Sequence, residues 1–104
     1  MVVVSVFYPI SGSTFFDMNY YLTSHVPLVQ RLLEPMGLRQ TTVLRGTASG
    51  SGGPPDYYLI ADLFFDDAET MGAALAAHGP ETQADIAQFT DSAPIIQISE
   101  VIDL

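Results

Sequence analysis

Hydrophobic and polar positions divide the chain into four short extended runs separated by two helical stretches. Val2 to Pro9 is a run of β-branched and aromatic residues stopped by Pro9 and Ser11-Gly12-Ser13, the pattern of a strand and turn. From Asp17 to Met36 the periodicity is helical, with Thr14 or Asp17 as the cap and Gly37 at the C-terminal stop. Pro27 lacks the amide proton that a helix interior uses, so a break is expected at Ser24-His25-Val26, with a second helix starting at Pro27. Leu38 to Ala48 alternates as a strand, residues 49–55 form a Ser/Gly/Pro loop, and Tyr57 to Phe65 forms a third strand. Asp66-Asp67 places acidic side chains at the positive end of a second helical stretch, expected to stop at His78-Gly79-Pro80. A short extra helix over Glu81 to Phe89 and a last strand from Pro94 to Val101 complete the series.

The order β-α-β-β-α-β is that of an α+β, ferredoxin-like domain spanning residues 1–104, with an antiparallel four-stranded sheet and helices on one face. Such a sheet leaves its other face bare. Val2, Val4 and Val6 alternate with Val3, Ser5 and Phe7, and Leu59, Ala61 and Leu63 alternate with Ile60, Asp62 and Phe64. Strands apolar on both sides expect cover on both sides, and a second copy in a two-fold homodimer supplies it.

Composition narrows the partners. The chain is 48% hydrophobic and 14% charged, with a net charge of −9 and three arginines as its only Lys or Arg residues. That balance repels phosphate backbones and anionic lipid, so neither nucleic acid nor a membrane is an expected partner. Cysteine is absent, which excludes disulfides, thiolate metal sites and thiol nucleophiles. The start Met1-Val2-Val3-Val4-Ser5 carries no basic region, so a cytoplasmic location is expected.

The stretch from Phe16 to Val29, FDMNYYLTSHVPLV, resembles the EthD family signature, roughly F-D-x-x-Y-Y-x-x-x-H-x-P-L-V. Gly37-Leu38, Leu44-Arg45-Gly46 and Phe89-Thr90-Asp91 with Pro94 agree with it. The resemblance implies a dimeric α/β barrel, in which two ferredoxin-like sheets join face to face. It also implies a link to ether degradation beside a partner oxygenase, or to polyketide chemistry, without naming a reaction.

His25 is the leading candidate for chemistry, because its ring exchanges protons near neutral pH. Tyr21 lies one helical turn before it, so a phenol and an imidazole share a face and suit polarising a carbonyl and moving a proton. The plainer alternative has His25 satisfying stray backbone groups at the break before Pro27. Asp62, the one charge in its strand, is the third catalytic candidate. If Thr47 pairs with Asp56, then Thr41 faces Asp62 with Arg39 and Arg45 alongside, and the carboxylate acts as a base, orients His25 or forms a structural ion pair.

His78 reads as a helix-end cap. No histidine has a partner at metal-ligand spacing, and neither nucleotide nor acyl-transfer motifs occur, so no metal or organic cofactor is expected. Most of the aromatic rings belong to the core. Phe7, Tyr20, Tyr58, Phe64 and Phe89 are the candidates for lining a pocket for a small hydrophobic, oxygenated molecule, held either for acid–base chemistry or for delivery to a partner oxygenase.

Overall fold

A computed structural model describes residues 1–104. Strands β1 (Val2–Pro9), β2 (Gln40–Arg45), β3 (Tyr57–Phe65) and β4 (Ile95–Glu100) form one sheet in the order β2-β3-β1-β4, with every neighbouring pair antiparallel. Between β1 and β2 lie α1 (Met18–Tyr20), a π-helical turn at Tyr21–His25, and α2 (Val26–Leu33). Helix α3 (Ala68–Ala84) follows β3, and a 3-10 turn at Asp85–Gln88 leads towards β4. This is the ferredoxin-like arrangement expected of the sequence.

Burial alternates along β3: Leu59, Ala61, Leu63 and Phe65 are buried on the helix-covered face, while Ile60, Asp62 and Phe64 are half-buried on the other. The covered face carries two apolar clusters. One gathers Val4, Leu63 and Phe65 with Val29 and Leu33 of α2 and Met71 and Ala74 of α3. The other joins Tyr8, Leu59 and Ala61 to Tyr21 and Phe89.

Helix ends follow local chemistry. Asp17 accepts from the Tyr20 amide at 3.0 Å and Asp67 from the Thr70 amide at 2.8 Å, each satisfying a donor that the first turn leaves free. Gly37 ends the first helical stretch at φ 106°, where an added Cβ would lie 2.5 Å from Thr70 Cγ2. Both the left-handed backbone and the close approach require glycine there.

Three expectations are corrected. The chain does not break before Pro27, because the π-turn carries the helix through it. The Val26 amide donates to the Tyr21 carbonyl, five residues back, and the ring of Pro27 then starts α2. Nor does α3 stop at His78-Gly79-Pro80: Pro80 lies inside the helix, which runs to Ala84 with Thr82 Oγ1 donating to the His78 and Gly79 carbonyls. His78 therefore does not cap the helix; its Nδ1 lies 4.0 Å from Glu81. Finally, β2 pairs with β3 one residue away from the expected register, so that Thr42, not Thr41, faces Asp62.

On the uncovered face, Thr42, Asp62, Ser5 and Gln97 form one cross-strand row from edge to edge, with Ser5 Oγ donating to Asp62 Oδ1 at 2.6 Å. The neighbouring row, Leu44, Ile60, Phe7 and Ile95, is wholly apolar. The face is thus more polar at its centre than strand composition suggests. No helix is long and apolar enough to cross a membrane.

Candidate active site

A cavity of about 390 Å³ opens between the sheet and the helices, where the two clusters meet. Its apolar wall includes Val4 and Val6 of β1, Val29 and Leu33 of α2, Leu63 of β3 and Ile86. Its size and lining are those of a small-molecule site. Tyr8, Tyr21 and His25 line the same cavity, and Thr41, Thr82 and Gln83 add further polar side chains to its wall.

The π-turn places Tyr21 and His25 together. One extra residue in the turn, forced by the missing amide of Pro27, sets both side chains on the inner surface, and both are buried. Their rings lie 5.4 Å apart at 31°, while Tyr8 reaches Tyr21 edge-on at 6.0 Å. Phe89 packs behind this group at 4.7 Å from His25 and 5.1 Å from Tyr21.

His25 Nδ1 lies 2.9 Å from Asp85 Oδ2. A carboxylate only accepts, so Nδ1 carries the proton and the neutral ring keeps its lone pair on Nε2. Asp85 is itself held: Tyr20 donates its hydroxyl to Oδ1 at 2.8 Å. Burial pushes the His25 pKa below the ordinary histidine value, opposed in part by the hydrogen bond and charge of Asp85. The ring is consequently a neutral base at neutral pH.

Tyr8 and Tyr21 are each only 2% exposed, yet neither hydroxyl has a hydrogen-bond partner within the chain. No fully enclosed side-chain polar atom lacks a partner, so both hydroxyls open onto the cavity they line. Burial raises both phenol pKa values, with the nearby Tyr21 adding to the shift at Tyr8, and both remain neutral donors.

The sequence candidates separate accordingly. His25 and Tyr21 come together in the cavity wall. Asp62 does not join them: it lies on the uncovered face, bonded to Ser5, and cannot orient His25 from there. Asp85, which no sequence motif marks, lies against His25 Nδ1 instead. Arg39 pairs instead with Asp66 at the surface, at 3.1 Å. Phe7 and Phe64 also belong to the uncovered face, and Phe7 packs on Tyr57. Tyr58 stacks on Phe16 and donates to Ser13, while Tyr20 and Phe89 support the site from behind rather than lining it. Tyr8 is not among the sequence candidates, although it shares strand parity with Val4 and Val6. No group of three or more His, Cys, Asp or Glu side chains is placed to hold a metal ion.

Known proteins resemble this chain in sequence and fold. A protein of Rhodococcus erythropolis, described as an uncharacterized 11.0 kDa protein of the thcB–thcC intergenic region, is 34% identical over 76 residues. That match covers 68% of this chain and 66% of the relative, just under two thirds of its length. The crystal structure of an EthD-like protein from Ralstonia eutropha JMP134 superposes with a TM-score of 0.87 at 40% identity, over 98% of this chain and 92% of that one. SnoaB of Streptomyces nogalater, a cofactor-independent oxygenase, shares the fold at 14% identity and a TM-score of 0.66, over 99% and 93% of the two chains. The EthD domain matches residues 10–93, the stretch that holds Tyr21, His25 and Asp85, and the chain belongs to the EthD family.

Proposed function

We propose that the protein binds a small, hydrophobic, oxygenated molecule in the cavity and moves a proton on it, with His25 as the base and Asp85 as its positioning residue. The observation that supports this most is the 2.9 Å contact of Nδ1 with Asp85, which leaves Nε2 as a lone-pair acceptor towards an apolar cavity. A neutral base, oriented by a second group and set against a largely apolar cavity, has the properties that proton transfer requires. The largely apolar lining favours a second reading, carriage of such a molecule to a partner oxygenase.

Deuterium uptake separates the two. The protein is incubated in D2O with a panel of small aromatic ketones, phenols and ethers, while thermal shift reports binding. A ligand at a hundredfold excess over its Kd stabilises the folded state by about 2.7 kcal/mol. Catalysis predicts exchange into a bound compound with wild type and its loss with His25→Ala, with circular dichroism checking that the variant is folded. Binding without exchange supports carriage and overturns the catalytic reading.

A second copy of the chain is proposed to cover the bare sheet face, closing two sheets into a barrel, because the Leu44–Ile60–Phe7–Ile95 row is otherwise open to water. Light scattering on a sizing column is expected to give about twice the chain mass of 11.2 kDa. A stable monomer at micromolar concentration contradicts it.

A further inference from the structure

The structure assigns to Tyr8 and Tyr21 the role of a paired oxyanion clamp, so that the compound the cavity takes is an enolisable ketone or a phenol rather than an ether. This inference rests on the proton-transfer reading above and narrows its substrate class.

Two phenols, each 2% exposed and each without a partner in the chain, face one cavity that is otherwise mostly apolar. Because each hydroxyl opens onto the cavity and bonds to nothing in the chain, both are free to bond to whatever enters. The two lie side by side, with ring centroids 6.0 Å apart, and the second of them is 5.4 Å from the ring of His25. Their acidity is too low for either to ionise, so they can only donate to, or accept from, whatever enters. A pair of neutral donors is best matched by an oxygen that gains negative charge, since hydrogen bonds to charged groups are the stronger ones. The base that creates the charge stands beside them.

The step is balanced within the site. His25 Nε2 takes a proton from the carbon next to a carbonyl. The C–H electron pair becomes the C=C bond of an enolate, and the carbonyl π pair moves to oxygen, where the Tyr8 and Tyr21 hydroxyls donate to it. The imidazolium, stabilised by Asp85, then returns the proton to another carbon of the same conjugated system, or to the oxygen. The net reaction is a tautomerisation or double-bond shift and consumes no oxidant. A phenol is the stable analogue of that enol. An ether has neither an acidic carbon of this kind nor an oxygen able to take the charge.

4-Nitrophenol and its methyl ether, 4-nitroanisole, are the probes, with binding followed by titration and the nitrophenolate absorbance band reporting ionisation. Wild type is expected to bind the phenol at least about tenfold more tightly than the ether, one charged hydrogen bond being worth about that factor or more. Tyr8→Phe and Tyr21→Phe should each erase about a tenfold part of the phenol's advantage, weakening nitrophenol binding by more than nitroanisole binding, and leave the melting temperature no lower. His25→Gln should abolish the bound phenolate band. Equal binding of both probes, insensitive to either Tyr→Phe change, overturns the clamp while leaving a binding cavity intact. Binding of neither overturns the clamp and the cavity reading together.

Discussion

Phe89→Ala is expected to lower the unfolding free energy by about 3–5 kcal/mol, the cost of deleting a fully buried aromatic ring that its surroundings cannot refill. The ring has no solvent exposure and meets Tyr8, Phe16, Tyr20, Tyr21 and His25, at centroid distances from 4.7 to 6.3 Å. Those neighbours come from β1, from the segment before α1, from α1 itself and from the π-turn, so no single element can shift to fill the void. Its backbone is engaged as well: the Phe89 carbonyl accepts from the Asp17 amide at 2.6 Å, beside the Phe16–Thr90 bridge. Domains of this size hold about 5–15 kcal/mol in total, and each kcal/mol moves the melting temperature by about 4–8 °C. Urea denaturation followed by circular dichroism reads the loss directly. Phe89→Leu, which keeps much of the volume, should lose less than half as much. A loss under about 1 kcal/mol for the alanine variant would mean that the ring is not the keystone of this cluster. Because Phe89 sits behind Tyr21 and His25, the alanine variant should also lose ligand-induced stabilisation under conditions where it remains folded.

The same ring shows what the sequence makes legible. The order of strands and helices is readable because hydrophobic period and turn residues are local signals, and β3 falls where its alternation places it. His25 and Tyr21 are readable because one helical turn separates them. The register of β2 against β3 is not, since residues 46–56 form an irregular connection, and an assumed pairing of Thr47 with Asp56 is one residue out. A one-residue slip sends every side chain of a strand to the other face. That slip placed Asp62 opposite Thr41, but Asp62 lies with Thr42 and Ser5 on the uncovered face. Asp85 is illegible for a different reason. It lies 60 positions from His25, beyond a proline expected to end the helix, and the contact exists only because α3 runs past Pro80. No local pattern marks such a pair.

Asp85→Asn is expected to cut His25-dependent exchange by about 10²–10⁴, the range that one positioned acid–base group commands. The carboxylate makes two contributions. Its charge and hydrogen bond support the imidazolium, opposing the burial that lowers the His25 pKa. It also accepts only, and so fixes the proton on Nδ1. Asparagine removes the charge and can present its N–H₂ to the ring, moving the proton to Nε2 and turning the base that faces the cavity into a donor. The variant should therefore show a lower His25 pKa together with a mixed or reversed tautomer, both visible in long-range ¹H–¹⁵N NMR. A merely structural loss would change neither. The pH dependence carries a defined sign. Because the folded pKa lies below the unfolded value of about 6.5, the unfolded chain binds more protons between the two. His25 thus contributes stability that is present above about pH 6.5 and lost as pH falls towards the folded pKa. Exchange falls on the same acid side, through the folded pKa itself, and in Asp85→Asn that limb should move to lower pH as the overall rate drops. Unchanged exchange with an intact Nδ1–H tautomer in the variant would remove Asp85 from the mechanism and leave His25 to act alone.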